Sequence, residues 1–209
     1  ITINNVRFKE ELAEKVSKTI GIDKKAFLNA MHDEQRLEKL GFNSETIIAM
    51  FIPNTYEVYW TISIDDLFAR IKKEHNKFWN KNRIEKARKL GLSLTEVSTL
   101  ASIVQAESSK DDESPKIAGL YINRLKKNML LQADPTVKFA LGDFSIQRIL
   151  TKDTQINSPY NTYKNKGLPP GPINLPTITS IDAVLNHENH DYIYMCAKED
   201  FSGYHRFAQ

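Results

Sequence analysis

Apolar residues recur at every fourth position near the start of the chain: Phe8, Leu12, Val16 and Ile20, followed by Gly21. That spacing lines one face of a helix, and a glycine just beyond it predicts a stop. Asp23 is placed to cap a second short helix carrying Ala26, Phe27, Ala30 and Met31, and a third runs up to Leu40 before Gly41. Ahead of them residues 1–3 alternate like a short strand. Residues 47–61 read as a β-rich stretch with a turn at Pro53-Asn54-Thr55. Ser63 and Asp66 then open one long helix that runs to about Leu90 and stops at Gly91, with Ile64, Leu67, Phe68 and Ile71 as its buried stripe. The lysines along it, Lys72, Lys73, Lys81, Lys86 and Lys89, form a solvated face.

Ser93 and Glu96 make a capping box for the next helix, whose apolar face is Leu94, Val97, Leu100, Ala101, Ile103 and Val104. Ser114-Pro115 starts another, with Ile117, Leu120, Tyr121 and Leu125 inward and Asn128 as a left-handed C-cap. Asp134-Pro135 opens a short helix that ends at Gly142. Beyond it the chain becomes loop-rich, and prolines and glycines stiffen residues 167–172. Residues 192–197 and 204–207 read as partner strands around a turn at Gly203. The pattern predicts an α+β fold, with a small N-terminal domain ahead of a larger one.

Composition changes this picture little. The 209 residues are 41% hydrophobic and 26% charged, an ordinary globular balance. A net charge of +3, from 29 basic and 26 acidic residues, gives no basic stripe for a nucleic acid. The one cysteine, Cys196, excludes an internal disulfide, and it sits within a strand pattern as a core residue would. No apolar run is long enough to cross a bilayer. A chain that starts at Ile1 reads as a piece of a longer protein, with any membrane anchor expected upstream.

The candidate chemistry centres on Glu107. It lies seven residues after Leu100, four after Ile103 and three after Val104, so helical spacing puts it on the buried face at the last turn. Burial and the negative end of the helix dipole both raise a carboxyl pKa, as a general acid at neutral pH requires. The structural alternative is a loop cap or an ion pair with Arg124. Asp134 has two roles open to it, N-cap and substrate ligand. Tyr160, Asn161 and Tyr163 offer aromatic faces and an amide suited to a glycan groove, or simply to a packed loop. His187 and His190 stand three apart with no further ligand set, so no metal is expected. Nucleotide-binding and serine-hydrolase motifs are absent, and no cofactor is expected.

Several of these stretches together resemble one family. Leu100-Ala-Ser-Ile-Val-Gln-Ala-Glu107, Tyr121-Ile-Asn-Arg-Leu125, Leu131-Gln-Ala-Asp-Pro-Thr-Val137, Ser158-Pro-Tyr-Asn-Thr-Tyr163, Gly167-Leu-Pro-Pro-Gly-Pro-Ile173 and Tyr204-His-Arg-Phe207 occur in the order of the YceG-like endolytic murein transglycosylases. Ile52-Pro-Asn-Thr-Tyr-Glu57 is similar to that family's segment ahead of the catalytic part. Residues 1–45 resemble its LysM-like small domain, leaving residues 46–209 as the catalytic domain. The resemblance implies a lyase that cuts the β-1,4 bond between N-acetylmuramic acid and N-acetylglucosamine and leaves 1,6-anhydro ends, with Glu107 as acid and base. It implies that Gln132, Asp134, Tyr160, Asn161 and Tyr163 lie near the substrate. A membrane anchor, an extracytoplasmic site beside cell-wall synthases, and a role in ending strand elongation are also implied. Family members often carry a second glutamate where this chain has Gln105, and usually Asn-Pro-Gly where it has Asn174-Leu175-Pro176. The competing expectations are a hydrolytic muramidase and a non-enzymatic glycan-binding scaffold.

Overall fold

The computed structural model describes residues 1–146, 148–200 and 202–209. The chain begins with a two-residue strand, β1 (Thr2–Ile3), and three short helices, α1 (Lys9–Thr19), α2 (Lys24–Ala30) and α3 (Glu34–Leu40). α1 buries Leu12 and Val16, as the four-residue spacing predicts. Asp23 caps α2 by accepting the Ala26 N–H at 2.8 Å, and Gly41 closes α3 with a left-handed φ of 81°. Gly21 serves a different purpose from a helix-stop glycine. Its N–H donates to the Trp60 carbonyl at 3.1 Å, and a Cβ there would lie 3.1 Å from the same oxygen. Close approach of two backbones requires the glycine, not a left-handed turn.

Residues 47–61 hold far less strand than expected. Ile47–Met50 is a 3-10 turn, and the strand is only β2 (Asn54–Thr55), antiparallel to β1. Residues 47–52 are all buried, so the run has no polar face whose period would separate helix from strand. The expected single helix over 63–90 is two, α4 (Ile64–Phe78) and α5 (Lys81–Leu90). Ser63 caps α4 through the Asp66 N–H at 3.1 Å, and Asn80 caps α5 through the Arg83 N–H at 3.1 Å. A cap residue inside a helical pattern offers the backbone a competing acceptor, and here it wins.

The second half is arranged around α6 (Leu94–Glu107). Its capping box of Ser93 and Glu96 forms as expected, and the Ser93 cap stabilises the helix by about 1 kcal/mol. Residues 97–104 are buried on every side. The hydroxyls among them are satisfied within the helix: Ser98 donates to the Leu94 carbonyl at 3.1 Å, Thr99 to Thr95 at 2.8 Å and Ser102 to Thr99 at 2.7 Å. Around α6 pack α7 (Ser114–Lys126), α8 (Asp134–Leu141) and α9 (Ile178–Leu185). Asn128 takes the expected left-handed conformation after α7, at φ 52°. α9 lies in the stretch expected to be loop. Arg83 forks onto its Asp182 at 2.9 Å through each of two nitrogens, which ties α5 to α9. β3 (Tyr194–Ala197) and β4 (His205–Ala208) close the chain as an antiparallel hairpin. The fold is α+β, with two small two-stranded sheets among the described residues.

Buried apolar residues form two clusters. The first runs from Ile3 to Ile71 and takes in Leu175, and the second runs from Trp79 to Leu185. The first cluster passes through residue 45 without a break.

Candidate active site

α6 ends on Glu107, and Ser108 leaves it in an extended conformation. The residue as a whole is half-buried, but its carboxyl group is enclosed by protein. Oε1 accepts the hydroxyl hydrogen of Tyr121 on α7. Burial pushes the Glu107 pKa up to about 7; the Tyr121 hydrogen bond opposes this, the negative charge of Asp134 adds to it, and His205 and Lys138 oppose it. A carboxyl group balanced near neutral pH can both give and take a proton. The ion pair with Arg124 does not form. Arg124 instead donates to the carbonyls of Ile193 at 2.6 Å, Leu131 at 2.8 Å and Leu130 at 3.2 Å. Burial and the neighbouring Glu107 raise the Tyr121 phenol pKa, so Tyr121 remains a donor.

Glu107 lines two cavities. One, of about 220 Å³, is walled by Tyr121, Asp134, Tyr163 and His205, with Gln132 and Cys196 also on it. The other, of about 360 Å³, is lined by Asn5, Arg7, Lys138 and Asn174. Each cavity wall holds a non-glycine residue at positive φ, Asn5 at 47° and Gln132 at 49°. Asparagine adopts that conformation readily, whereas for a longer side chain such as Gln132 it is uncommon.

The residues singled out beforehand separate into two groups. Gln132, Asp134 and Tyr163 share the smaller cavity with Glu107. Gln132 is held by its N–H to the Thr162 carbonyl at 3.1 Å, and its Oε1 accepts from Arg124 at 3.4 Å. Asp134 is not a cap: Ala133 holds the N-cap position, and Asp134 Oδ1 accepts the Tyr163 hydroxyl at 2.5 Å. Lying inside the first turn, its carboxylate is free to face the cavity. Tyr160 and Asn161 line neither cavity. The Tyr160 hydroxyl donates to Glu45 at 2.6 Å and its ring packs on Phe139 at 4.7 Å, which fastens the loop to the N-terminal region. Asn161 is 0% exposed. Its amide donates to the Thr154 and Ile156 carbonyls at 2.9 and 2.8 Å, and Oδ1 accepts the Tyr163 N–H at 3.0 Å. With its amide spent internally, Asn161 shapes the loop that presents Tyr163.

Other residues at the site were not anticipated: His205, Glu113, Lys138, Arg7 and the phenol of Tyr121. The alternation of β4 would have paired His205 with Phe207 on one face, a signal short enough to pass unread. Glu113 carried no signal, because its partner is 92 residues away. Cys196 is exposed on β3 rather than in a core. Among the described residues, no three His, Cys, Asp or Glu side chains converge as metal ligands.

Across residues 1–209 the chain matches the model of the YceG-like family. It is 40% identical over 138 residues to the endolytic murein transglycosylase of Bacillus subtilis (strain 168), covering 66% of this chain and 38% of that protein. It is 31% identical over 153 residues to the protein of the same name from Streptococcus pneumoniae, covering 69% of this chain and 27% of that one. The matched part is thus less than half of either relative's length. The crystal structure of a protein described as yceG-like from Listeria monocytogenes superposes with a TM-score of 0.82 at 29% identity, over 99% of this chain and 72% of that one. A family match over the whole chain, together with this shared backbone, makes the chain a member of the YceG-like family.

Proposed function

We propose that the chain is the lytic part of a peptidoglycan transglycosylase, cutting N-acetylmuramic acid–N-acetylglucosamine β-1,4 bonds within glycan strands and leaving 1,6-anhydro ends. The observation that carries this is Glu107 itself: a carboxyl balanced near pH 7 that lines two separate cavities. Two cavities sharing the acid leave room for sugars beyond the reacting bond, which suits cleavage inside a strand rather than at its end. The relatives that share the family are named endolytic murein transglycosylases.

The reaction needs one proton-transfer group. Protonated Glu107 donates to the bridging oxygen as the bond from muramic acid C1 to that oxygen breaks. The Glu107 carboxylate then takes the proton of the C6 hydroxyl as its oxygen closes on C1. Glu107 ends protonated, and no water is consumed. Hydrolytic glycosidases need a second carboxylate to act as nucleophile or to activate water. Here the nucleophile is part of the substrate, which supplies the proximity that a water molecule would lack. Asp134, bonded to Tyr163, acts as a ligand for sugar hydroxyls and as a charge that holds the Glu107 proton.

In this reading residues 1–45 are a LysM-like module that holds the strand, and their contribution to the larger cavity through Asn5 and Arg7 supports that role. Residues 46–209 carry the chemistry. The protein works on the outer side of a bacterial cell membrane, beside cell-wall synthases, held by an anchor outside these residues, and its cuts end the growth of nascent strands. No helix among the described residues is itself long and apolar enough to cross a membrane. Digestion of purified glycan strands tests the proposal. The expected fragments end in anhydro sugar, and intact strands after prolonged incubation would overturn it in favour of a binding scaffold.

A further inference from the structure

Glu113 and His205 form a closed pair, of which His205 lines the smaller cavity. Both oxygens of one carboxylate are used on one residue: Oε1 accepts the His205 backbone N–H at 2.8 Å, and Oε2 lies 2.7 Å from Nδ1. Glu113 is 7% exposed. A carboxylate oxygen at this distance is satisfied when Nδ1 carries a hydrogen, which it does in the cationic ring and in one of the two neutral tautomers. The clamp joins the turn before α7 to β4, and it fixes the place of the ring. Stability alone is a poor reason for such a pair, since buried ion pairs often gain nothing over apolar replacements. Its location suggests another reason: His205 lines the same cavity as Glu107.

We propose that His205, held by Glu113, is a positioning residue that balances Glu107 between its acid and base roles. This rests on the lytic reading, in which Glu107 must release a proton and then recover one. Glu107 is faced by Tyr121 from α7, by Asp134 and Lys138 from α8, and by His205 from β4. The ring of His205 is faced by Glu113; Arg124 and Tyr163 share the smaller cavity with it, and Asp112, Lys116, Glu188, Lys198 and Tyr204 line a second cavity on which it also lies. Burial and Asp134 hold the proton on Glu107. A positive ring works against both, so Glu107 gives the proton up more readily; a neutral ring leaves the proton in place. A mobile ring would make that counterweight variable, and the Glu113 clamp prevents this. Glu113 itself lines neither cavity at Glu107, so its effect passes through the ring.

The test is the titration of the Glu107 side-chain carboxyl by carbon NMR in the whole chain, together with the pH profile of kcat on glycan strands. His205→Gln is expected to move the Glu107 titration upward by about one pH unit. The falling limb of kcat moves with it, and KM stays near its wild-type value. Glu113→Gln keeps the packing, frees the ring, and moves the titration the same way by less; it also carries the test if His205→Gln does not fold. A merely structural pair would lower the melting temperature in both variants and leave the Glu107 titration unmoved, which overturns the proposal. The titration needs no substrate. A wild-type chain inactive on glycan strands therefore overturns the lytic reading, while the titration separately decides whether the pair governs the Glu107 proton.

Discussion

The two cavities that meet at Glu107 are built from different parts of the chain and differ in charge: apart from Glu107, Asp134 is offset by Arg124 in the smaller, while the larger holds two cations and no further carboxylate. The smaller is made by α6, α7, α8 and the closing hairpin, and it holds Asp134, Tyr121, Tyr163 and His205. The larger borrows Asn5 and Arg7 from the N-terminal segment, and apart from Glu107 its charged groups are Arg7 and Lys138. Of the four side chains that act on the Glu107 proton, three line the smaller cavity, and Lys138 alone belongs to the larger. The difference separates two tasks. In the proposed mechanism the smaller cavity sets the chemistry of Glu107, and the larger holds whatever lies beyond the reacting bond.

Removing the shared residue should affect both cavities at once. Glu107→Gln keeps the shape and the acceptor for Tyr121 but cannot transfer a proton, so the rate should fall about 100- to 10,000-fold. Its stability should move the other way. The folded pKa of about 7 lies above the ordinary 4.5, so between those values the folded chain keeps a proton that the unfolded chain has lost. Stability conferred by the protonated form is therefore lost as pH rises through this window, a cost of about 1–3 kcal/mol that the amide does not bear. The Gln variant should melt above wild type at pH 8 and close to it at pH 4. A lower melting temperature at pH 8 would show that Glu107 is there for structure.

Asn161→Ala tests whether the loop residues form scaffold or wall. Its amide satisfies two carbonyls in a fully buried position, so its loss should destabilise the fold by about 1–3 kcal/mol. Activity of the remaining folded protein, measured well below the melting temperature, should stay near wild type. A large rise in KM with unchanged stability would put Asn161 back in the groove.

Within the smaller cavity, Asp134→Asn and Tyr121→Phe should act in opposite directions. Loss of the Asp134 charge lowers the Glu107 titration, and loss of the Tyr121 hydrogen bond raises it, each by about one pH unit. Under the proposed mechanism Glu107 begins the reaction protonated, so activity should fall as pH rises through about 7 in wild type. That falling limb should shift downward in Asp134→Asn and upward in Tyr121→Phe. Limbs that move together would break the assignment of this cavity to the proton. The smallest effects are expected in the larger cavity. Arg7→Gln, an exposed charge, and Lys138→Gln, a half-buried one, should raise KM up to about fivefold, with little change in kcat.

The parts of the site that could be read from the sequence were those that local spacing determines. Helical periodicity put Glu107 on the buried face, and the caps at Asp23, Ser63 and Ser93 were each legible because capping takes place within three residues. Residues 47–52 were not legible, since a run buried on all sides has no period. α9 was missed although Thr177 caps it through the Ser180 N–H at 3.1 Å and Ile178, Ile181 and Leu185 recur at helical spacing, because the run of prolines just before that stretch pointed to loop. Asn80 breaks a helix that its neighbours would have continued. Glu113 and His205 show the deeper limit: their pairing spans 92 residues, and nothing local to either residue announces it.

The most direct test of the central claim, that Glu107 alone moves the proton and the substrate supplies the nucleophile, is mass spectrometry of fragments released from purified glycan strands. The account predicts fragments ending in 1,6-anhydro sugar from wild type, the same ends at a lower rate from Asp134→Asn, and almost none from Glu107→Gln. Fragments one water heavier, with ordinary reducing ends and equal dependence on Glu107 and Asp134, would contradict it.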